Sequence, residues 1–215
     1  MSEPSRLYQA ILEGNAKDAL AITQQALAEG ANALELVNGH MIPAMDEVGR
    51  RFENEDYFVP ELLLSARAMK AALDLIRPQL ASSGAQPAGR VVIGTVKCDL
   101  HDIGKNLVAS MLEGGGFEVH DLGADVPPEK FIEAVRTTGA DIVALSALLT
   151  VTMPAMRTTI EALSQAGLRD RIKVMVGGAP VTDQYAREIG ADGYSENASA
   201  AVALARRLMA ARTAA

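Results

Sequence analysis

Residues 91–104 read Val-Val-Ile-Gly-Thr-Val-Lys-Cys-Asp-Leu-His-Asp-Ile-Gly and set a carboxylate, Asp99, two places before an imidazole, His101. Side chains two apart cannot share a helix face, but they can meet in a turn. A carboxylate that accepts one ring N–H fixes the imidazole tautomer and leaves the other nitrogen free to bind a metal. Two further stretches hold residues of the same interest. Ser146-Ala-Leu148-Leu-Thr150-Val-Thr152 offers three hydroxyls at spacing two, which would face a ligand together if the chain stays extended. Gly177-Gly178 lacks side chains, so something can approach its backbone closely.

These residues need a scaffold, and the pattern around them supplies one. Val91, Val92, Ile93 and Val96 form a β-branched run ahead of the Asp99 turn, and Leu107, Val108, Met111 and Leu112 follow at helical spacing. Over 90–215 the pattern alternates. Strands are predicted at 91–96, 117–121, 141–146, 172–176 and 192–194, and helices near 104–113, 128–138, 153–166, 182–189 and 198–211. Continuous apolar strands such as Ile142-Val143-Ala144-Leu145 and Val174-Met175-Val176 suit a parallel sheet covered on both faces. The expectation is a five-stranded, doubly wound α/β domain, flavodoxin-like and Rossmann-type, in which ligands bind at the carboxyl ends of the strands. The three stretches above end the first, third and fourth strands and would lie side by side.

Ahead of it, apolar spacing over residues 5–29 with a break at Gly14-Asn15 predicts two helices. A third pattern runs from Ala33 to Val48 with a kink or restart at Pro43, and a fourth helix from Pro60 to about Leu80. This is a small four-helix bundle, residues 1–85. Ala81-Ser-Ser-Gly-Ala-Gln-Pro-Ala-Gly89 has linker composition, and the boundary is placed at residues 86–89.

The whole-chain totals narrow the partners. Net charge is −7 with no dense Lys/Arg run, which argues against a nucleic-acid partner. No apolar stretch reaches membrane-spanning length, the N-terminus lacks a signal-peptide core, and the single cysteine, Cys98, suits a reducing cytoplasm. Each residue also has a plainer reading. Cys98 reads as structural and Lys97 as a solvated charge; Ser146 and Thr152 could cap the next helix; Met41, Met45 and Met69 read as core filler; His40 and Glu47 lack a third metal partner.

The combination is more specific than its parts. Asp99-x-His101-x-x-Gly104, then 41 residues, Ser146-x-Leu148, then 28 residues, Gly177-Gly178 resembles the cobalamin-binding signature shared by methionine synthase, the methylmalonyl and glutamate mutases, and the corrinoid methyl-carrier proteins. The bundle ahead of the sheet domain resembles the helical cap of the methylation-type members, with Tyr57–Met69 similar to their cap helix. The resemblance implies cobalamin or a related corrinoid as cofactor, with His101 binding cobalt as the lower axial ligand and Asp99 and Thr152 completing a relay. Asp102, Ile103 and Gly104 would pass beneath the ring. Ser146, Leu148, Thr150, Gly177 and Gly178 would line a slot for the nucleotide tail, and Phe58 and Leu62 of the cap would shield the upper face. The implied function is a carrier subunit without catalysis of its own. It would take a methyl group on cobalt from a substrate-specific methyltransferase and give it to a second one, whose acceptor is tetrahydrofolate or coenzyme M, with a reductive activase as a further partner. The alternative is a cobalamin-binding sensor module. Sensors of that build carry an N-terminal DNA-binding domain, for which Met1 to Arg6 leaves no room.

Overall fold

The computed structural model describes residues 3–83 and 86–213. The chain divides into two compact units, Met1–Pro87 with Glu113–Gly116, and Ala88–Leu112 with Phe117–Ala215.

In the first unit, α1 (Glu3–Leu12) and α2 (Ala16–Ala28) are joined at Gly14, whose φ of +70° suits glycine. The Asn15 side chain caps α2 by accepting the Asp18 N–H, and Asn32 caps α3 (Ala33–Leu36) through the N–H groups of Leu34 and Glu35. The break expected at Pro43 is absent. A π-helical turn, Val37–Met41, leads without interruption into α4 (Ile42–Glu53), with the Ile42 N–H donating to the Val37 carbonyl. Pro43 has no N–H to give, and the wider turn just before it accommodates that loss without ending the helix. Helix α5 (Val59–Ser83) runs three residues into the stretch expected to be linker and contains Pro78; Gly84 and Ala85, at the expected boundary, lie outside the described residues. Leu7, Ile11, Met41, Met45, Leu62, Met69 and Ile76 are buried at 0–2% exposure.

The second unit is a five-stranded, all-parallel sheet in the order β2-β1-β3-β4-β5, formed by β1 (Arg90–Thr95), β2 (Glu118–Asp121), β3 (Ile142–Ser146), β4 (Lys173–Gly177) and β5 (Gly193–Ser195). The helices between and after them are α6 (Ile103–Gly114), α7 (Pro128–Thr138), α8 (Pro154–Gln165), α9 (Asp183–Glu188) and α10 (Ala198–Thr213). Both sheet faces are covered, as the apolar strands require. Val92, Val143, Leu145, Val174 and Val176 pack against Phe131 and Val135 of α7, Met156, Ile160 and Leu163 of α8, and Ala186 of α9. The alternate residues Val91, Ile93, Ile142, Ala144 and Met175 point the other way and are equally buried. The strand order reverses between β1 and β3, which makes their carboxyl ends the switch point where doubly wound sheets bind ligands.

Candidate functional site

The loop after β1 is built outward from a buried core position. Val96 bridges to Val126 and is fully buried, so the backbone leaves the sheet with Lys97 and Cys98 at the surface. Cys98 is exposed, with a left-handed φ of +67°, so the structural role expected of its thiol is not what the fold provides. Asp99 then turns inward and is fully buried. His101, two residues on, keeps half of its side chain exposed.

Asp99 organises both strand ends. Its Oδ1 accepts the His101 backbone N–H at 3.1 Å and lies 2.8 Å from the ring Nδ1. Its Oδ2 accepts the Leu148 N–H at 2.8 Å and the Thr152 hydroxyl at 2.6 Å. The Leu149 carbonyl is 2.9 Å from the same hydroxyl, but one proton cannot serve two acceptors and the carboxylate is the stronger. Burial alone would push the Asp99 carboxyl up. The Thr152 hydroxyl, the Leu148 N–H and the His101 N–H and ring outweigh it and hold the group well below the usual carboxylate range. An ionised Asp99 fixes the Nδ1–H tautomer and aims the Nε2 lone pair outward, and no hydrogen bond to Nε2 is found among the described residues.

The third strand end differs from the extended arrangement expected. The chain leaves β3 at Ser146 and folds into a tight turn over residues 149–153, so the hydroxyls separate. Thr152 is buried on Asp99, Thr150 is exposed, and Ser146 stays in the sheet, paired with Thr95 and Gly177. Leu148 contributes its backbone N–H, a role its side chain does not announce. The fourth end also has its own reason for glycine. A Cβ on Gly178, at φ +129°, would lie 1.9 Å from the Ala147 carbonyl oxygen, and one on Gly177 would lie 3.1 Å from that of Ser195. The room left by their missing side chains is filled by neighbouring protein backbone. Gly104 is the opposite case: a Cβ there would meet nothing within 4 Å, and the space beside His101 stays open.

Several contributors were not evident beforehand. Thr95, fully buried, donates its hydroxyl to the His101 carbonyl at 2.9 Å. Leu100, Ile103 and Val151 are about four-fifths exposed, and Leu148 and Leu149 about two-fifths, an apolar collar on the two loops that Asp99 ties together. Apolar side chains interleaved with motif residues in a loop were the available signal. Lys105, almost fully buried on α6, ion-pairs with Asp121 at the end of β2. In the helical unit Phe58 is exposed but Leu62 is completely buried, so only Phe58 offers the surface expected of both. His40 and Glu47 form no metal site: Glu47 is engaged by Arg50 at 2.6 and 2.7 Å and by Arg51 at 2.9 Å. Arg51 also lies over the Tyr57 ring, 5.2 Å from its centroid, and Tyr57 donates to the Leu12 carbonyl.

At the switch point, then, His101 has one ring nitrogen on Asp99 and the other without a hydrogen bond among the described residues, on loops that carry exposed apolar side chains, and an imidazole held in this way can ligate a metal. No group of three or more His, Cys, Asp or Glu residues able to hold an ion exists among the described residues. A metal bound here would therefore have to bring most of its own coordination sphere.

Comparison with known proteins agrees. B12 binding domain families match residues 5–77 and 89–203. The chain is 44% identical over 207 residues to the dimethylamine corrinoid protein of Methanosarcina barkeri, covering 95% of this chain and 96% of that one. A cobalamin-binding protein from Desulfitobacterium hafniense superposes with a TM-score of 0.77 at 34% identity, covering 95% of this chain and 98% of that one. The methanol:cobalamin methyltransferase complex MtaBC from Methanosarcina barkeri superposes with a TM-score of 0.85 at 30% identity, covering 97% and 80%. The chain belongs to the B12-binding corrinoid proteins, and its cofactor is cobalamin or a related corrinoid. None of its described helices is long and apolar enough to cross a membrane.

Proposed function

We propose that this protein is the methyl-carrying subunit of a corrinoid-dependent methyltransferase system, with His101 as the lower axial ligand of cobalt. The bound corrinoid supplies a cobalt centre that accepts a methyl group and gives it up again. The observation that carries the reading is the hydrogen-bonded set Thr152, Asp99 and His101, which leaves Nε2 as the one ring nitrogen pointing outward. Asp99 tunes how well the imidazole donates to a metal, and Thr152 holds Asp99 in place. His101 would hold the metal through Nε2, with its ring orientation fixed by the Asp99 carboxylate. The exposed apolar side chains of Leu100, Ile103 and Val151 would be covered by the bound group and would help to exclude water beside His101. The open approach beside Gly104 suits a ligand that is itself presented to other proteins.

The partners in this reading are a substrate-specific methyltransferase that loads the protein and a second one that unloads it onto tetrahydrofolate or coenzyme M. Relatives named for dimethylamine and a methanol:cobalamin methyltransferase complex support methyltransferase partners and make simple methylamines and methanol the first donors to try. A reductive activase would restore protein whose cobalt has been oxidised.

Reconstitution with methylcobalamin tests the site. Wild type is expected to retain the corrinoid with a protein nitrogen on cobalt, and His101→Ala to lose that signature in its absorption and cobalt(II) resonance spectra. An unchanged spectrum in the variant, or no retained corrinoid in wild type, would sink the assignment. Transfer of labelled methyl from the loaded protein to tetrahydrofolate or coenzyme M, assayed with candidate methyltransferases, identifies the acceptor; transfer to neither contradicts the carrier role.

A further inference from the structure

The loop that carries His101 is held from a second side, by a residue outside the Asp99 set. Asp125 lies in the connection between β2 and α7. Its carboxylate oxygen Oδ1 accepts the Cys98 N–H at 2.8 Å and pairs with the Lys97 ammonium at the same distance. Its own backbone N–H donates to the Asp99 carbonyl at 2.9 Å, and the next residue, Val126, bridges to Val96. Both partners carry the left-handed backbone that side chains other than glycine rarely adopt, Cys98 at φ +67° and Asp125 at +56°. Such conformations persist where surrounding contacts over-determine them. Here the Asp125 carboxylate holds the Cys98 N–H, the Asp99 carbonyl holds the Asp125 N–H, and the Asp99–His101 turn begins at the residue after Cys98.

The geometry points to Asp125 as a positioning residue for the cobalt ligand: by holding the Cys98 N–H it fixes the start of the turn and so the direction of His101 Nε2. This rests on the reading of His101 as the axial ligand. It assigns a function to the β2–α7 connection, which supplies no atom to the Asp99 carboxylate. The Lys97 pair is exposed on both sides and screened by solvent, so the carboxylate's bond to the Cys98 N–H is the contact that matters.

Two substitutions separate the idea from a general loss of structure, because each tolerates a left-handed backbone. Asp125→Gly removes the acceptor and relieves the strained φ; Asp125→Asn keeps an oxygen acceptor. Full-length protein labelled with nitrogen-15 histidine is loaded with methylcobalamin and converted to the cobalt(II) state, where nitrogen splitting reports axial histidine. Losing one such hydrogen bond should lower the His-bound to His-free ratio roughly fivefold in Asp125→Gly. Asp125→Asn should restore most of it. In protein free of corrinoid, hydrogen exchange at the Cys98 amide should accelerate in the glycine variant and not in the asparagine one.

A wild-type histidine signature in Asp125→Gly, with the signature lost in His101→Ala, overturns the assignment of Asp125 alone. Retention of the signature in His101→Ala overturns the reading beneath it. An asparagine variant as defective as the glycine one overturns the acceptor role. Loss of the fold in Asp125→Gly, seen by circular dichroism, would make Asp125 a support of the whole sheet unit and overturn the assignment as well.

Discussion

Asp99 is a buried carboxylate surrounded by donors, and the weight of each donor can be measured. Thr152→Val keeps the volume of the side chain and removes the hydroxyl that bonds Asp99 at 2.6 Å. A hydrogen bond to a charged group contributes about 1.5–3 kcal/mol, so the corrinoid-free protein should lose about that much stability in urea. Thr152→Ser should lose less than half as much, and a valine variant as stable as wild type would mean that Asp99 does not need the bond. Asp99 and His101 were legible in the sequence for a local reason: a spacing of two in a turn limits what an acid and an imidazole can do, whereas Thr152, 53 residues from Asp99, was reached only through the resemblance to the cobalamin-binding family. Thr95, Asp125 and the Leu148 N–H were not legible, because their contributions depend on long-range register and on backbone atoms that residue types do not reveal.

The elements carry the second lesson, and glycine shows it best. Gly104 and Gly178 stand in the same signature, but the fold uses them for different purposes. At Gly178 a Cβ would collide with the Ala147 backbone and the φ of +129° forbids a side chain, so Gly178→Ala should destabilise the corrinoid-free protein by about 3 kcal/mol or more. At Gly104, the second residue of α6, a Cβ meets open space, and Gly104→Ala should change stability by less than about 1 kcal/mol. It should instead weaken corrinoid retention, measured by gel filtration of the loaded protein. A Gly104→Ala variant that unfolds, or one that holds corrinoid like wild type, would contradict the reading of that space. The sequence pattern did place every strand and α-helix of the sheet unit to within a few residues, because apolar strands and amphipathic helices are local signals, but not the short 3-10 turn Arg169–Arg171. It missed the turn at 149–153 and the π-helical passage before Pro43. The first answers to a contact made elsewhere, Thr152 being drawn back to Asp99, and the second to a widened turn that accommodates the missing proline N–H, which apolar spacing does not register.

At the scale of the molecule, acid should act on both units, most strongly through Glu47 in the helical unit and Asp99 in the sheet unit. In the helical unit the Arg50 and Arg51 hydrogen bonds lower the Glu47 carboxyl to about 2. In the sheet unit the donors around Asp99 lower it further than burial raises it. For both groups the folded value lies below the unfolded one, so the stability each adds is complete above the ordinary carboxylate range and is lost as pH falls through the folded value. Glu47 is one-fifth exposed and Arg50 more than half, so solvent screens the pair and the effect is smaller than the shift suggests. Urea midpoints of corrinoid-free protein followed from pH 5 downward should therefore fall less steeply in Glu47→Gln than in wild type between about pH 4.5 and 2. The slope that remains should shrink again in a Glu47→Gln, Thr152→Val double variant, because the hydroxyl no longer favours the Asp99 anion. Glu47 and Asp99 share none of their hydrogen-bond partners, so their effects should add. A wild-type slope in Glu47→Gln would show that the arginine pair does not survive in solution, and an unchanged slope on adding Thr152→Val would show that Asp99 keeps its charge without the hydroxyl.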